Sequence, residues 1–364
     1  MCLPLVVTGS FPRGHCTKVL SRAVNRQSET PGGWVHLDGA VNVRDLGGLP
    51  TEDGRTTRRR RLLRADNLQD LSEADVRLLV DDFGVRQVLD LRTAAEIELE
   101  GPGPITREPA VTVRELTLYP EAGKRTDALT EEQPGASPDA ELAGVGADQP
   151  GGRLDRALAG VGADQPGGRL DRALAGVRTD VTGVSGAEQM PWTAARPAPE
   201  AIDLRERPAV IHYLGYLRHA ADNIVESLRS IGRADGATLV HCAAGKDRTG
   251  TVIALALLVA GVRRGDVIAD YARSGEVIDK IMARLAATPT YAADVSDANG
   301  NPVTDVNMDP QTWAAIANRQ RPRAQTMQRL LELLDERAGG PIRWLTAEGL
   351  TADERQAIRA HLLD

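Results

Sequence analysis

Aromatic side chains are scarce in this 364-residue chain, where Phe, Trp and Tyr together supply 3% of the residues. The core must therefore rest on Leu, Val, Ile and Ala, and with hydrophobic residues at 41% there are enough of these to build one. Cysteine is scarcer still. Cys2, Cys16 and Cys242 do not make a disulfide framework, which fits a reducing compartment. No apolar run approaches the ~20 residues that cross a bilayer, so no integral membrane segment is expected. The first seven residues, from Met1 to Val7, have neither a basic region nor a full hydrophobic stretch. That argues against a secretory signal and for a cytoplasmic protein, without excluding non-classical secretion. Positive charge is not in excess: 44 Lys and Arg stand against 51 Asp and Glu, a net charge of -7. Such a chain has no overall attraction for nucleic acid or anionic membranes. The six histidines show no metal-ligand spacing. The run Asp297-Ala298-Asn299-Gly300-Asn301 lacks the glycine placement and closing glutamate of a calcium loop and reads as a turn. Neither a metal nor an organic cofactor is expected.

What is present lies past the middle of the chain. Gly236-Ala237-Thr238-Leu239-Val240 runs into His241-Cys242-Ala243-Ala244-Gly245-Lys246-Asp247-Arg248-Thr249-Gly250 and then into an apolar stretch over 252–262. The pattern is a strand, a tight loop and a helix N-terminus. Successive backbone N–H groups and the positive end of the helix dipole converge there, which suits a phosphate dianion. The same field favours the thiolate form of Cys242, the nucleophile of a phosphoryl transfer. Arg248 can give two parallel hydrogen bonds to phosphate oxygens, Gly245 permits positive φ, and Thr249 is expected first in the helix with its hydroxyl on the cysteine sulfur. Ala243, Ala244, Gly245, Lys246 and Thr249 are the expected phosphate-binding positions. His241 is expected to order the loop by hydrogen bonding.

The flanking pattern indicates an α/β protein. Ser72-Glu73-Ala74-Asp75 caps an amphipathic helix with Val76, Leu79, Val80 and Phe83 inward, ended by Gly84. Residues 85–91 read as a buried strand and 111–118 as an alternating one. Strands interleaved with helices imply a mostly parallel central sheet with helices on both faces. Helices are predicted over 212–231, 264–286 and 309–337, with a capping box at Thr351-Ala352-Asp353-Glu354. Residues 1–33 read as a flexible extension and 34–364 as one domain, interrupted at about 122–205. Inside that interruption, residues 142–157 recur letter for letter at 158–173. Units this short, broken by Pro-Gly-Gly, fit a disordered insertion rather than a stacked repeat.

His-Cys-x-x-Gly-Lys-Asp-Arg-Thr-Gly resembles the phosphate-binding loop of the cysteine-dependent protein tyrosine phosphatases, in particular the tyrosine/serine phosphatases of the actinobacterial PtpB type. Asn42-Val43-Arg44-Asp45-Leu46-Gly47-Gly48, Arg61-Leu62-Leu63-Arg64-Ala65, Leu89-Asp90-Leu91-Arg92 and Asp270-Tyr271-Ala272-Arg273-Ser274 are similar to that family's other signatures, in the same order. The likeness covers roughly 34–120 and 205–364. It implies a tyrosine phosphatase-like fold with a helical lid over residues 275–320, and a phosphocysteine intermediate. It also implies a general acid in the stretch Leu118-Tyr119-Pro120-Glu121, where the family's Asp is replaced by Glu121; Asp247 is the competing acid. Arg44 and Arg64 are expected to be structural or to line the pocket, and Asp90 and Arg92 to order the surrounding loops by ion pairing. The expected substrates are phosphotyrosine proteins, with phosphoserine and phosphothreonine as further candidates. A phosphoinositide phosphatase is the alternative, favoured by Lys246 and the basic run 58–61, although that run also reads as a solvated edge. A catalytically inactive phosphoresidue-binding module is the third reading.

Overall fold

The computed structural model describes residues 30–120, 208–292, 295, 303 and 308–364. Glu121, the internal repeats, the 297–301 turn, Cys2 and Cys16 lie outside the described residues. One sheet organises what is described. Its strands are β1 (Arg44–Asp45), β2 (Leu62–Ala65), β3 (Val85–Asp90), β4 (Thr112–Glu115) and β5 (Ala237–His241), in the spatial order β1-β2-β5-β3-β4. Only β1 runs antiparallel to its neighbour. Because β5 inserts between β2 and β3, the chain leaves it at Cys242 between the carboxyl ends of two other strands. Open α/β sheets bind their ligands at this edge.

The sheet is covered on both faces, which is why its central strands read as nearly unbroken apolar runs. Leu62, Leu89 and Val240 point to one face, and Leu63, Val88 and Leu239 to the other. Along the chain the helices are α1 (Glu73–Arg77), continued by wider π-type turns over Leu78–Asp82, then α2 (Ala94–Glu100), α3 (Pro208–His219), α4 (Ala221–Arg233) and α5 (Asp247–Ala260). They are followed by α6 (Arg264–Arg273), α7 (Ile278–Ala287), α8 (Pro289–Ala292), α9 (Pro310–Arg319), α10 (Ala324–Ala338), α11 (Pro341–Ala347) and α12 (Ala352–Leu362). Residues of α3, α4, α5, α10, α11 and α12 form the core of the first face, while α1 and the segment around Val35 and Val43 cover the second. In α5 every residue from Arg248 to Leu257 is buried, as expected of a helix apolar all round. The Ser72 capping box forms with Asp75, and Gly84 ends that helix at φ 69°.

Three predicted helices prove to be broken. The one over 212–231 kinks at Ala220, φ -134°, although no Gly or Pro marks the place. Its ladder survives through Ala220 N–H to Tyr216 O at 3.0 Å and Ile224 N–H to Ala220 O at 2.9 Å. The kink sends the tyrosines of α3 toward the Cys242 loop while α4 packs on α12. Between α6 and α7 the chain tightens into a 3-10 turn, Ser274–Val277, where Arg44 reaches Ser274 Oγ at 3.3 Å and Arg321 reaches Gly275 O. Between α9 and α10, Pro322 removes a donor and restricts Arg321 before it. The strand expected over 111–118 pairs only over Thr112–Glu115, being the sheet's edge, before Leu116 N–H closes on Asp90 O.

Candidate active site

Four consecutive carbonyls of the loop after β5 are turned away from its concave side. Cys242 O lies 3.4 Å from His241 Nδ1, and Ala243 O accepts from Asn67 N–H at 3.1 Å. Asn42 Nδ2 donates to Ala244 O at 3.0 Å and to Gly245 O at 3.1 Å, and Arg64 Nη2 adds a second bond to Gly245 O at 2.6 Å. In a trans peptide the N–H points opposite to the carbonyl. The N–H groups of Ala243, Ala244, Gly245 and Lys246 therefore face the other way, and the start of α5 adds its unpaired donors to theirs. Gly245 is required twice over: its φ is 63°, and a Cβ there would lie 2.3 Å from Ala65 O.

The donors behind the loop are themselves anchored. Asp270 accepts from Arg44 Nε at 3.0 Å and Arg64 Nη1 at 2.6 Å, and all three side chains are buried. Burial alone would raise the pKa of Asp270, but the two guanidiniums outweigh it and hold the carboxyl below the usual range. Asp90 likewise pairs with Arg92, Nη2 to Oδ2 at 2.7 Å, and with His241 Nε2 at 3.5 Å. Burial opposes its charge too, and His241 and Arg92 together keep its pKa well below the ordinary value.

Arg248, the second residue of α5, is buried and its guanidinium is matched end-on by Glu96. Nη1 reaches Oε2 at 2.6 Å and Nη2 reaches Oε1 at 2.7 Å, while Nη1 also donates to Leu91 O at 3.1 Å. Of its five N–H groups, the Nε–H and the outer Nη2–H remain, side by side on the edge that a phosphate can take bidentately. Burial works against the charge on Arg248, yet Glu96 pushes its pKa well above the usual guanidinium range. Glu96 in turn sits at the third position of α2, in a capping box with Thr93, and accepts from Tyr291 Oη at 3.0 Å.

A cleft of about 780 Å³ opens above the loop. Cys242 and Arg248 line its floor, Tyr119, His212, Tyr213 and Tyr216 one wall, and Ile278, Ile281, Met282 and Leu285 of α7 another. The few aromatics of the chain are concentrated here. All five tyrosines are buried; four line the cleft, and the fifth, Tyr271, lies 2.7 Å from Tyr213, Oη to Oη. Tyr213 donates to Asp247 Oδ1. Burial, then the negative charge of Asp247, raises the pKa of Tyr213 well above that of a free phenol, so it is a neutral donor. Asp247 Oδ2 lies 3.4 Å from Lys246 Nζ, and the Asp247 side chain keeps 34% of its exposure, toward the cleft.

A family model described as the tyrosine phosphatase family matches residues 35–364. The chain belongs to that family. Over 250 residues it is 26% identical to the triple specificity protein phosphatase PtpB of Mycobacterium tuberculosis, covering 69% of this chain and 72% of that one. A tyrosine-protein phosphatase of Nostoc commune is 28% identical over 151 residues, 41% of this chain and 47% of that one. This tyrosine phosphatase family member is thus a phosphoric monoester hydrolase of the protein phosphatase class.

Several predicted site residues of the phosphatase occupy positions other than expected. Arg44 and Arg64 are not among these: of the two roles expected of them they take the structural one, behind the loop, and neither lines the cleft. Thr249 is the third residue of α5, not the first, and among the described residues its buried hydroxyl has no hydrogen-bond partner, so it does not reach the cysteine sulfur. Lys246 Nζ is turned to Gln320 O at 2.9 Å, bridging the loop to the α9–α10 connector. The basic run 58–61 contributes nothing to the cleft lining; Arg58 N–H bonds to Leu362 O, and Arg60 N–H to Asp45. Glu121 lies outside the described residues. Glu96, Tyr213 and Tyr291 were not singled out from sequence. The one signal for Glu96 was Thr93-x-x-Glu96 directly after the strand end, which reads as an ordinary helix cap. Among the described residues no group of His, Cys, Asp and Glu is placed to hold a metal ion, and no helix is long and apolar enough to cross a membrane.

Proposed function

We propose that the protein hydrolyses phosphotyrosine in proteins, with phosphoserine and phosphothreonine as further substrates, through a phosphocysteine on Cys242. The observation that carries this reading is the loop whose carbonyls are all bonded away, leaving its N–H groups and the free edge of Arg248 to share one concavity with the sulfur. Cys242 Sγ attacks phosphorus as the bond to the tyrosyl oxygen breaks, and that oxygen takes the proton of Asp247. Water then attacks the phosphocysteine, the S–P bond breaks, and the proton returns to the Asp247 carboxylate. The loop N–H groups and Arg248 hold the equatorial oxygens through both steps, so the charge meets fixed dipoles rather than reorganising water. Asp247 is preferred as acid because it is held by Tyr213 at the cleft edge. The apolar wall of α7 and the tyrosines of α3 suit an aryl ring between them. A nucleophilic thiol calls for a reducing compartment, and we assign the protein to the cytoplasm.

The phosphoinositide alternative keeps one of its two sequence arguments in weakened form, because Lys246 lines the cleft although its Nζ is already engaged. Lys246 is engaged by Gln320 O and Asp247, and the 58–61 run stands apart from the cleft. The test assays wild type and Cys242→Ser on an aryl phosphate, a phosphotyrosine peptide and a soluble phosphoinositide under reducing conditions. Peptide turnover that the variant abolishes supports the proposal. Undiminished turnover by the variant would sink the mechanism, and a faster rate on the phosphoinositide would overturn the substrate assignment.

A further inference from the structure

The scissile phosphate occupies only the floor of the cleft. Farther out, the end of α9 contributes Arg319, and the connector to α10 contributes Arg321 and Arg323, to the lining of the same cleft as Cys242. The innermost cation is already matched, Arg248 by Glu96. The hydrogen bonds of Arg321 and Arg323 go instead to neutral acceptors. Arg321 Nε donates to Asn318 Oδ1 at 3.3 Å and its Nη1 to Gly275 O, while Arg323 Nη2 donates to Asn318 O at 3.4 Å. Each guanidinium has five N–H groups, so most of each fork is unspent although its orientation is set. Gly275 makes room for this: a Cβ there would come within 3.0 Å of Arg321 Cγ. Pro322 biases Arg321 toward extended backbone, and Arg323 has φ -111° and ψ 138°. Alternate residues of an extended segment project to one side, ~7 Å apart.

Building on the phosphatase reading above, we infer that Arg321 and Arg323 form a second anion subsite, which binds acidic side chains flanking the phosphotyrosine of a protein substrate. The two forks are carried on alternate residues beside the same cleft, both steadied by Asn318, and a guanidinium fork takes a carboxylate bidentately. A lipid surface fits less well. Among the described residues the exposed large hydrophobics are Leu99 and Ile342, and neither lines the cleft, so nothing apolar stands at its mouth to enter a bilayer.

Two phosphotyrosine peptides that differ only in Glu against Gln at the flanking positions test the subsite, with a soluble phosphoinositide as third substrate. At low salt wild type should favour the Glu peptide by about five- to tenfold in kcat/KM, expressed in KM. In Arg321→Gln/Arg323→Gln the ratio should fall to about 1, and Arg321→Lys/Arg323→Lys should retain part of it, since ammonium keeps the charge and loses the fork. Equal rates on the two peptides in wild type, or an unchanged ratio in the Gln variant, would overturn the subsite while leaving the Cys242 chemistry standing. A preference for the phosphoinositide over both peptides that the Gln variant abolishes would overturn it in favour of a lipid headgroup. Absence of turnover on both peptides by wild type would remove the phosphatase reading and the subsite with it.

Discussion

The floor of the cleft and the wall that faces it are secured by different means. The loop from Cys242 to Arg248 is gripped from behind by Asn42, Asn67 and Arg64, and three buried ion pairs, two of them sharing Asp270 (with Arg44 and Arg64) and one between Arg248 and Glu96, fix the grips. The wall of α7, α8 and α9 has a small core of its own, in which Ile278, Ile281, Met282, Ile316 and Ala317 are buried. It meets the rest through a partly exposed arginine and a buried tyrosine. Arg284 reaches Asp66 and Asp70 at 3.3 Å each and Asn67 O at 3.1 Å, and Tyr291 reaches Glu96. Floor contacts join residues far apart in sequence and are hard to lose one at a time. Wall contacts are fewer, and those of Arg284 are nearer water. A preorganised floor under a wall that separates at smaller cost is the arrangement expected where catalysis needs fixed dipoles and substrates need entry.

The largest expected effect comes from unpairing the floor. Asp270→Asn leaves Arg44 and Arg64 buried without their carboxylate and should cost about 3–5 kcal/mol of unfolding free energy, read by denaturant titration. Glu96→Gln should lower kcat/KM on an aryl phosphate by at least about a hundredfold, the order seen when an oxyanion donor is lost, because Arg248 loses the partner that aims it. Gly245→Ala is next. It forces a Cβ against Ala65 O at φ 63° and should cost upward of about 1 kcal/mol together with most of the activity. The smallest effect belongs to the wall. Arg284→Ala should shift the melting midpoint by under about 1 kcal/mol equivalent and appear mainly in KM. A loss of stability in Arg284→Ala as large as in Asp270→Asn would erase the contrast between the two regions.

Acid should discriminate between the regions as well. Asp270, Asp90 and Glu96 all have pKa values depressed by folding, burial being outweighed by their cationic partners. Groups of this sign stabilise the fold fully above their unfolded values of ~4, and the contribution drains as pH falls toward the lower folded values. Asp66, which binds Arg284, is shifted the other way: burial raises its pKa, and Arg284 only partly offsets that. A group of this sign takes up its proton more readily in the fold and does not weaken it as pH falls, so on lowering pH the hydrogen-exchange protection of α5 should drop while that of α7 changes less. Simultaneous loss of protection would count against the distinction.

How much of this was legible in the chain follows the same division. The strand, the loop and the apolar helix from Ala237 to Ala260 are contiguous, so Cys242, Arg248 and the parallel sheet could be read directly. The supporting residues could not be assigned roles in advance. Asn42 and Asp270 stood inside recognisable motifs, yet their partners Gly245 and Arg64 lie far away in sequence, and only the β2–β5–β3 order brings them together. Glu96 looked like a helix cap and is one; that its carboxylate also holds Arg248 depends on how α2 meets α5. The tyrosines are too few to form any periodic pattern, and their gathering at Asp247 and Glu96 appears only once α3 kinks at Ala220 and α8 closes. Breaks at Ser274 and Pro322 placed residues of the wall that a continuous helix would have carried elsewhere.

The central claim is that Cys242 itself becomes phosphorylated. Rapid acid quench of the enzyme during turnover of a radiolabelled phosphotyrosine peptide, followed by digestion and mass spectrometry, tests it most directly. The account predicts one phosphoryl group on the peptide carrying Cys242, absent in Cys242→Ser. Turnover that proceeds with no label on the enzyme, or with label on a residue other than Cys242, would contradict it.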